Sequence, residues 1–146
     1  MNTKAQEFKK LGNEAYKKRK FSTAIGYYEK ATEIDPNEIT YYNNIAAVCF
    51  EQKNYDRCIT WCKKAVEIGR KNQAHFTNIA KSLARMGKSY RKCGDLKNAK
   101  AKYEAAVEEH STSDYRLSLL EIENEIGKYL SFIRKIGKFN TLFHNT

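Results

Sequence analysis

Lys9 and Asn13 stand four residues apart, as do Lys81 and Arg85, and Asn44 lies between the two pairs in the chain. On a helix a four-residue step puts both side chains on one face. Lysine and arginine are pure donors, and asparagine adds the two donors of its NH₂ group. If these cations and carboxamides converge, they suit a carboxylate, because charge-assisted hydrogen bonds are roughly twice as strong as neutral ones. Any one lysine in a chain with 27 Lys plus Arg reads equally well as part of a solvated helix face. Asn13 and Asn44 are harder to read that way, since asparagine is a mediocre mid-helix residue that wants a partner.

Material for covalent chemistry is scarce. His75, His110 and His144 lie far apart, and the sequence holds no G-x-S-x-G, H-E-x-x-H or P-loop motif. Cys58 and Cys62, four apart, could offer two metal ligands, but their positions read better as small apolar packing residues. Cys49 falls on the apolar side of the run Ile45 to Phe50. Cys93, beside Gly94, is the thiol expected to be exposed, with no base in sight to activate it. No enzymatic activity, cofactor or metal is expected.

The 146 residues make one domain, with 41% hydrophobic and 30% charged content, a globular composition. One proline and seven glycines are too few turn residues for an all-β sandwich. The net charge of +10 favours an anionic partner: an acidic peptide, nucleic acid or a membrane face. Acids are interspersed with the bases, and no aromatic–basic interleaving marks a nucleic-acid site, so nucleic acid is not expected. The start MNTKAQEFKK has no apolar signal-peptide core, and no apolar run approaches the ~18 residues of a membrane span. The expected location is the cytoplasm, with the nucleus as the alternative, and the four cysteines are expected as free thiols.

The elements that would position the donors emerge from an internal repeat. Leu11 to Pro36 aligns with Ile45 to Arg70, so that Gly12 matches Ala46, Phe21 matches Tyr55, Tyr28 matches Cys62 and Ala31 matches Ala65. A third copy, Met86 to Ser111, fills the same positions with Gly87, Leu96, Tyr103 and Ala106 after seven extra residues. Seven residues are about two helical turns, so the insertion can lengthen the first helix of the third copy without turning its faces. Each copy reads as two helices about a polar turn, and such hairpins bury their apolar faces only by stacking. The expected fold is therefore all-α, with six repeat helices in a superhelix.

The pattern of Leu-Gly, Tyr, Ala, an aromatic, Ala and Pro at a period of 34 resembles the tetratricopeptide repeat (TPR). Pro36 keeps the family's closing proline, while Arg70 and Ser111 replace it in the later copies. The resemblance gives repeats at about 5–38, 39–72 and 80–113. The segments K-K-L-G-N (from Lys9), Y-N-N-I-A-A-V (from Tyr42) and I-A-K-S-L-A-R-M-G (from Ile79) resemble the two-carboxylate clamp of co-chaperone TPR domains, the middle domain of the Hop family above all. By that resemblance the first helices line a concave groove. Lys9, Asn13, Asn44 and Lys81 would grip the terminal Asp of a Glu-Glu-Val-Asp peptide, and Arg85 would reach a residue upstream. Tyr16 and Phe50 would offer apolar pockets or else pack between hairpins, and Glu51 would accept a peptide N–H. Lys88 departs from the family's asparagine and would favour a more acidic peptide. The implied partner is the C-terminal peptide of heat-shock chaperones, the 90-kDa class ahead of the 70-kDa class. The alternative is a general TPR scaffold for an internal segment of another protein. Since that family joins several TPR units, one unit implies a single-module adaptor, a competitor or a shortened relative.

From Asp114 onward no fourth repeat is found. Ser113 or Asp114 is the expected N-cap of a seventh helix, with Tyr115, Leu119, Ile122, Ile126, Tyr129 or Leu130, and Ile133 as its apolar stripe. It is expected to cap the last hairpin over 114–136, with a frayed tail at 137–146. Its basic, amphipathic continuation has a second reading as a membrane-surface or calmodulin-target segment. A monomer is expected, with self-association through the tail as the alternative.

Overall fold

The computed structural model of the chain describes residues 2–144. Among them are seven α-helices and no strand: α1 (Thr3–Lys17), α2 (Phe21–Ile34), α3 (Ile39–Glu51), α4 (Tyr55–Lys71), α5 (Phe76–Lys92), α6 (Leu96–Glu109) and α7 (Ser113–His144). The pairs α1–α2, α3–α4 and α5–α6 pack as hairpins, and α2 on α3, α4 on α5 and α6 on α7 join them in series. The first helices α3 and α5 also touch. This is the all-α superhelix expected from the repeat.

Small–large exchange at repeat positions explains how the hairpins close. A Cβ on Gly12 would stand 2.5 Å from Tyr28 Cε1, and one on Gly87 would stand 2.6 Å from Tyr103 Cδ2. The tyrosine ring occupies the space that the glycine leaves. In the second hairpin the same positions hold Ala46 and Cys62, both fully buried. A larger first partner is matched by a smaller second one, which keeps the interior close-packed. The three hairpin turns share a left-handed residue in one register, with φ of 58° at Arg19, 59° at Lys53 and 80° at Gly94. Only the third copy uses glycine there. Asn54 and Asp95 then cap α4 and α6 by accepting the N–H of Arg57 and Asn98.

The seven-residue insertion is shared between two helices rather than added to one. Ile34, the last residue of α2, corresponds to Ile68, yet α4 runs on through Gly69, Arg70 and Lys71. Ile39, the first residue of α3, corresponds to Ala80, yet α5 begins four residues earlier at Phe76. The connection stays four residues long, 35–38 in one place and 72–75 in the other. Lengthening both partners together keeps the ends of the hairpin level.

α7 differs from the sequence reading at both ends. Its cap is Thr112, whose hydroxyl accepts the Tyr115 N–H at 3.1 Å, rather than Ser113 or Asp114. Its helix does not end near 136 but continues to His144; Asn145 and Thr146 of the expected frayed tail lie outside the described residues. The first half is docked. Ile122 is fully buried, and Tyr115, Leu119 and Ile126 pack against the core. Arg91 of α5 ties this half down by pairing with Glu121 at 2.9 Å and with Glu125, to which its Nε donates at 3.0 Å. Among the described residues no helix is long and apolar enough to cross a membrane.

Candidate peptide-binding groove

The expected site residues fall on three parallel stripes. Lys9, Asn13 and Tyr16 follow one face of α1, Asn44 and Glu51 one face of α3, and Lys81, Arg85 and Lys88 one face of α5. A cavity of about 380 Å³ lies where these stripes and the start of α7 meet. It brings together Tyr16, Phe50, Glu51, Lys81, Arg85 and Lys88. Lys9, Asn13 and Asn44 are not in its wall. They sit one to two turns back along the same stripes as its lining residues Tyr16, Ala47 and Glu51, toward the N-terminal ends of α1 and α3.

Hydrogen bonds fix two of the donors and leave three unengaged. The Tyr28 hydroxyl donates to Asn13 Oδ1 at 2.6 Å. Burial, with Tyr16 adding to it, pushes Tyr28 up to about 12, so the hydroxyl keeps the proton it donates to Asn13 Oδ1. That orientation leaves the Asn13 NH₂ free to donate elsewhere. Arg85 Nη1 donates to the Asn43 carbonyl at 3.2 Å, which holds the guanidinium against α3. Lys9, Asn44 and Lys81 have no hydrogen-bonding or ionic partner among the described residues. Donors held near one groove without acceptors of their own make a receptive field for an anion.

The secondary residues serve structure and groove at once. Tyr16 lies 5.9 Å from the Phe21 ring, and Phe50 meets Tyr55 edge-on at 5.3 Å, while both line the cavity. Glu51 is exposed in the cavity wall. Lys88 does not simply project toward a ligand, because its Nζ sits 4.8 Å from the centre of the Phe50 ring. The cation thereby closes over the Phe50 ring in the cavity wall.

Several lining residues escaped the sequence reading. Ala47 and Ala84 stand one turn beyond Asn44 and Lys81, and their small size could have marked the floor of a groove. Asp114, Tyr115 and Ser118 come from α7, whose placement over the last hairpin is a tertiary fact without a local signal. Asn43 was passed over for its neighbour Asn44. It is buried, accepts from Ser82 Oγ at 2.5 Å and donates to the Asn78 carbonyl at 3.3 Å. This polar seam pins α3, which carries Asn44, to α5, which carries Lys81 and Arg85.

The thiols stay outside the site. Cys49, Cys58 and Cys62 are free and buried, and Cys93 is free and exposed. The contact with Cys58, together with burial, pushes the Cys62 thiol up, and slight burial with the Asp56 and Asp95 carboxylates nearby pushes Cys93 up. Neither is an activated nucleophile.

Comparison with known proteins agrees with the repeat and the fold. Tetratricopeptide repeat profiles match residues 3–38 and 38–108. Stress-induced-phosphoprotein 1 of Caenorhabditis elegans is 40% identical over 118 residues, 81% of this chain and 37% of that protein. The solved N-terminal domain of stress-induced protein-1 (STI-1) from C. elegans superimposes with a TM-score of 0.80 at 39% identity, covering 84% of this chain and 99% of that one. The TPR2AB domain of yeast Sti1, solved as a complex with pHSP90, gives a TM-score of 0.85 at 40% identity, covering 88% of this chain and 50% of that one. The chain spans 37% of its C. elegans relative and 19% and 21% of the Sti1 proteins of Schizosaccharomyces pombe and Saccharomyces cerevisiae. A three-hairpin superhelix, an internal 34-residue period and these matches place the chain in the tetratricopeptide repeat family, and its relatives include the TPR domains of Sti1 proteins.

Proposed function

We propose that this chain is a co-chaperone module that binds the acidic C-terminal peptide of a cytoplasmic heat-shock chaperone, ending in Glu-Glu-Val-Asp, through a two-carboxylate clamp. Lys9, Asn13, Asn44 and Lys81 donate to the side-chain and main-chain carboxylates of the terminal Asp. Arg85 holds the peptide a residue upstream. Tyr16 and Phe50 receive apolar side chains, and Glu51 accepts a peptide N–H. What supports the reading is the set of unengaged donors on the stripes of α1, α3 and α5, with Lys81 in the cavity wall and Lys9 and Asn44 one to two turns back along stripes that reach it. Recognition is of an extended peptide in a preformed groove, with charge-assisted bonds at its end. A short peptide makes few contacts and loses freedom on ordering, so micromolar affinity is expected.

The 90-kDa class is favoured over the 70-kDa class. The support is the 40% identity to the Sti1 domain solved with a pHSP90 peptide. Lys88, capping the Phe50 pocket, makes that pocket shallower and more cationic, which favours an acidic side chain upstream of the clamp.

Fluorescence anisotropy with a labelled peptide ending in Met-Glu-Glu-Val-Asp tests the assignment. Lys9→Ala and Lys81→Ala should each weaken binding by about 1.5–3 kcal/mol, ten-fold or more. Unchanged affinity in both variants, in protein shown to be folded, would contradict the clamp.

A further inference from the structure

The second half of α7 carries a surface that neither the repeat packing nor the groove uses. From Gly127 the helix leaves the body, and Tyr129, Phe132 and Phe139 are each 60% exposed, with Ile133 and Ile136 exposed between them. At 3.6 residues per turn these five fall on one side of the helix, within about half its circumference. The opposite side holds Arg134 and Lys138, while Lys128 and Lys135 border the apolar side along one edge. Leu130 and Leu142, 52% and 72% exposed, fall outside that side, Leu142 among the cations. No acidic residue follows Glu125 in the sequence. The apolar side also continues onto the body, where Ile126, Tyr129 and Leu96 line a pocket of about 610 Å³ edged by Lys97, Lys100 and Asp95.

We infer that this half of α7 is a membrane-surface anchor that lies in the headgroup region of an anionic phospholipid bilayer. An aromatic-rich face bordered and backed by cations, with no carboxylate among them, fits an interface in which rings enter the acyl boundary and Lys and Arg meet lipid phosphates. The charge pattern argues against a second copy of this chain as the occupant. Pairing two such helices through their apolar faces would set Lys128 and Lys135 of each beside the seam with no acid to answer them. An anionic lipid surface answers all of them, each cation near it contributing roughly five-fold to binding. The apolar stretch is too short and too interrupted to span, so the helix lies on the surface. Ser118, in the wall of the groove, and Phe132 are separated by about 20 Å along α7. The groove therefore stays open while the anchor is engaged, and the chain can hold an acidic C-terminal peptide at a membrane.

Co-sedimentation of the full chain with lipid vesicles tests this. Binding is expected to vesicles containing phosphatidylserine and to be far weaker with pure phosphatidylcholine. Phe132→Ser with Phe139→Ser should cut it roughly ten-fold or more while leaving every charge in place. Arg134→Gln with Lys138→Gln should lower it roughly five-fold for each cation. All substituted residues are exposed, and an unchanged circular dichroism melt checks the fold. Absence of binding to the anionic vesicles would overturn the inference. So would full binding by the Phe double variant, which would reduce the effect to the general +10 charge of the chain. A dimer in sedimentation equilibrium that this variant abolishes, or capture by calmodulin without vesicle binding, would assign the face to a protein instead.

Discussion

The two halves of α7 are one uninterrupted helix with one apolar periodicity, yet they meet different fates. Up to Ile126 the stripe is covered by α5 and α6 and locked by Arg91, while beyond Gly127 the same stripe is bare. Periodicity specifies a face and says nothing of what covers it. The first half closes the last hairpin and lends Asp114, Tyr115 and Ser118 to the groove. The second half contributes nothing to the body, so substitutions along α7 should change character near Gly127.

The largest contrast should come from truncating one apolar residue in each half. Ile122→Ala empties a fully buried site and should cost about 2–5 kcal/mol. Phe132→Ala should stay within roughly 0.5 kcal/mol, as for other exposed positions. Urea unfolding of the two variants reads both, and equal losses would show that the second half is packed in solution. Glycine substitutions should then differ in sign. Gly87→Ala drives a Cβ into the Tyr103 ring and should destabilise by about 1–3 kcal/mol. A Cβ on Gly137 meets nothing within 4 Å, so Gly137→Ala should raise helix content and locally stabilise by up to about 1 kcal/mol. Circular dichroism of the pair separates these outcomes.

Smaller effects sharpen the boundary between body and extension. Arg91→Ala removes the pairs with Glu121 and Glu125, which are partly exposed and screened, so it should cost no more than about 1 kcal/mol. Hydrogen exchange should quicken in the first half of α7 and not in α1–α4. Tyr28→Phe frees Asn13 to turn its carboxamide and should weaken peptide binding only a few-fold, roughly the worth of one neutral hydrogen bond. A loss as large as that of Lys81→Ala would mean that the tyrosine supports the groove by packing.

Much of the fold was legible because each hairpin repeats the same choices. Gly12 with Tyr28 and Gly87 with Tyr103 occupy matching positions, and the turns place Arg19, Lys53 and Gly94 in one register. The division of the seven-residue insertion was not legible, since helix length alone allows it on either side of the loop. Around the groove, the stripes of α1, α3 and α5 follow from spacing, and six of the nine expected residues share one cavity. Asn43 and the α7 residues were missed for a common reason. Their roles depend on contacts between elements distant in sequence, Asn43 with Ser82 and α7 with α5 and α6, for which one helix's pattern holds no record.

The claim that the groove reads a chain terminus, rather than acidity in general, is tested most directly by one pair of titrations. A peptide ending in Met-Glu-Glu-Val-Asp is compared with the same peptide amidated at its C-terminus. The clamp predicts micromolar binding for the free acid and a loss of ten-fold or more on amidation, because one of two gripped carboxylates is gone. Equal binding of both forms, or none to either by the folded chain, would contradict the clamp and leave a scaffold that recognises something other than a C-terminal carboxylate.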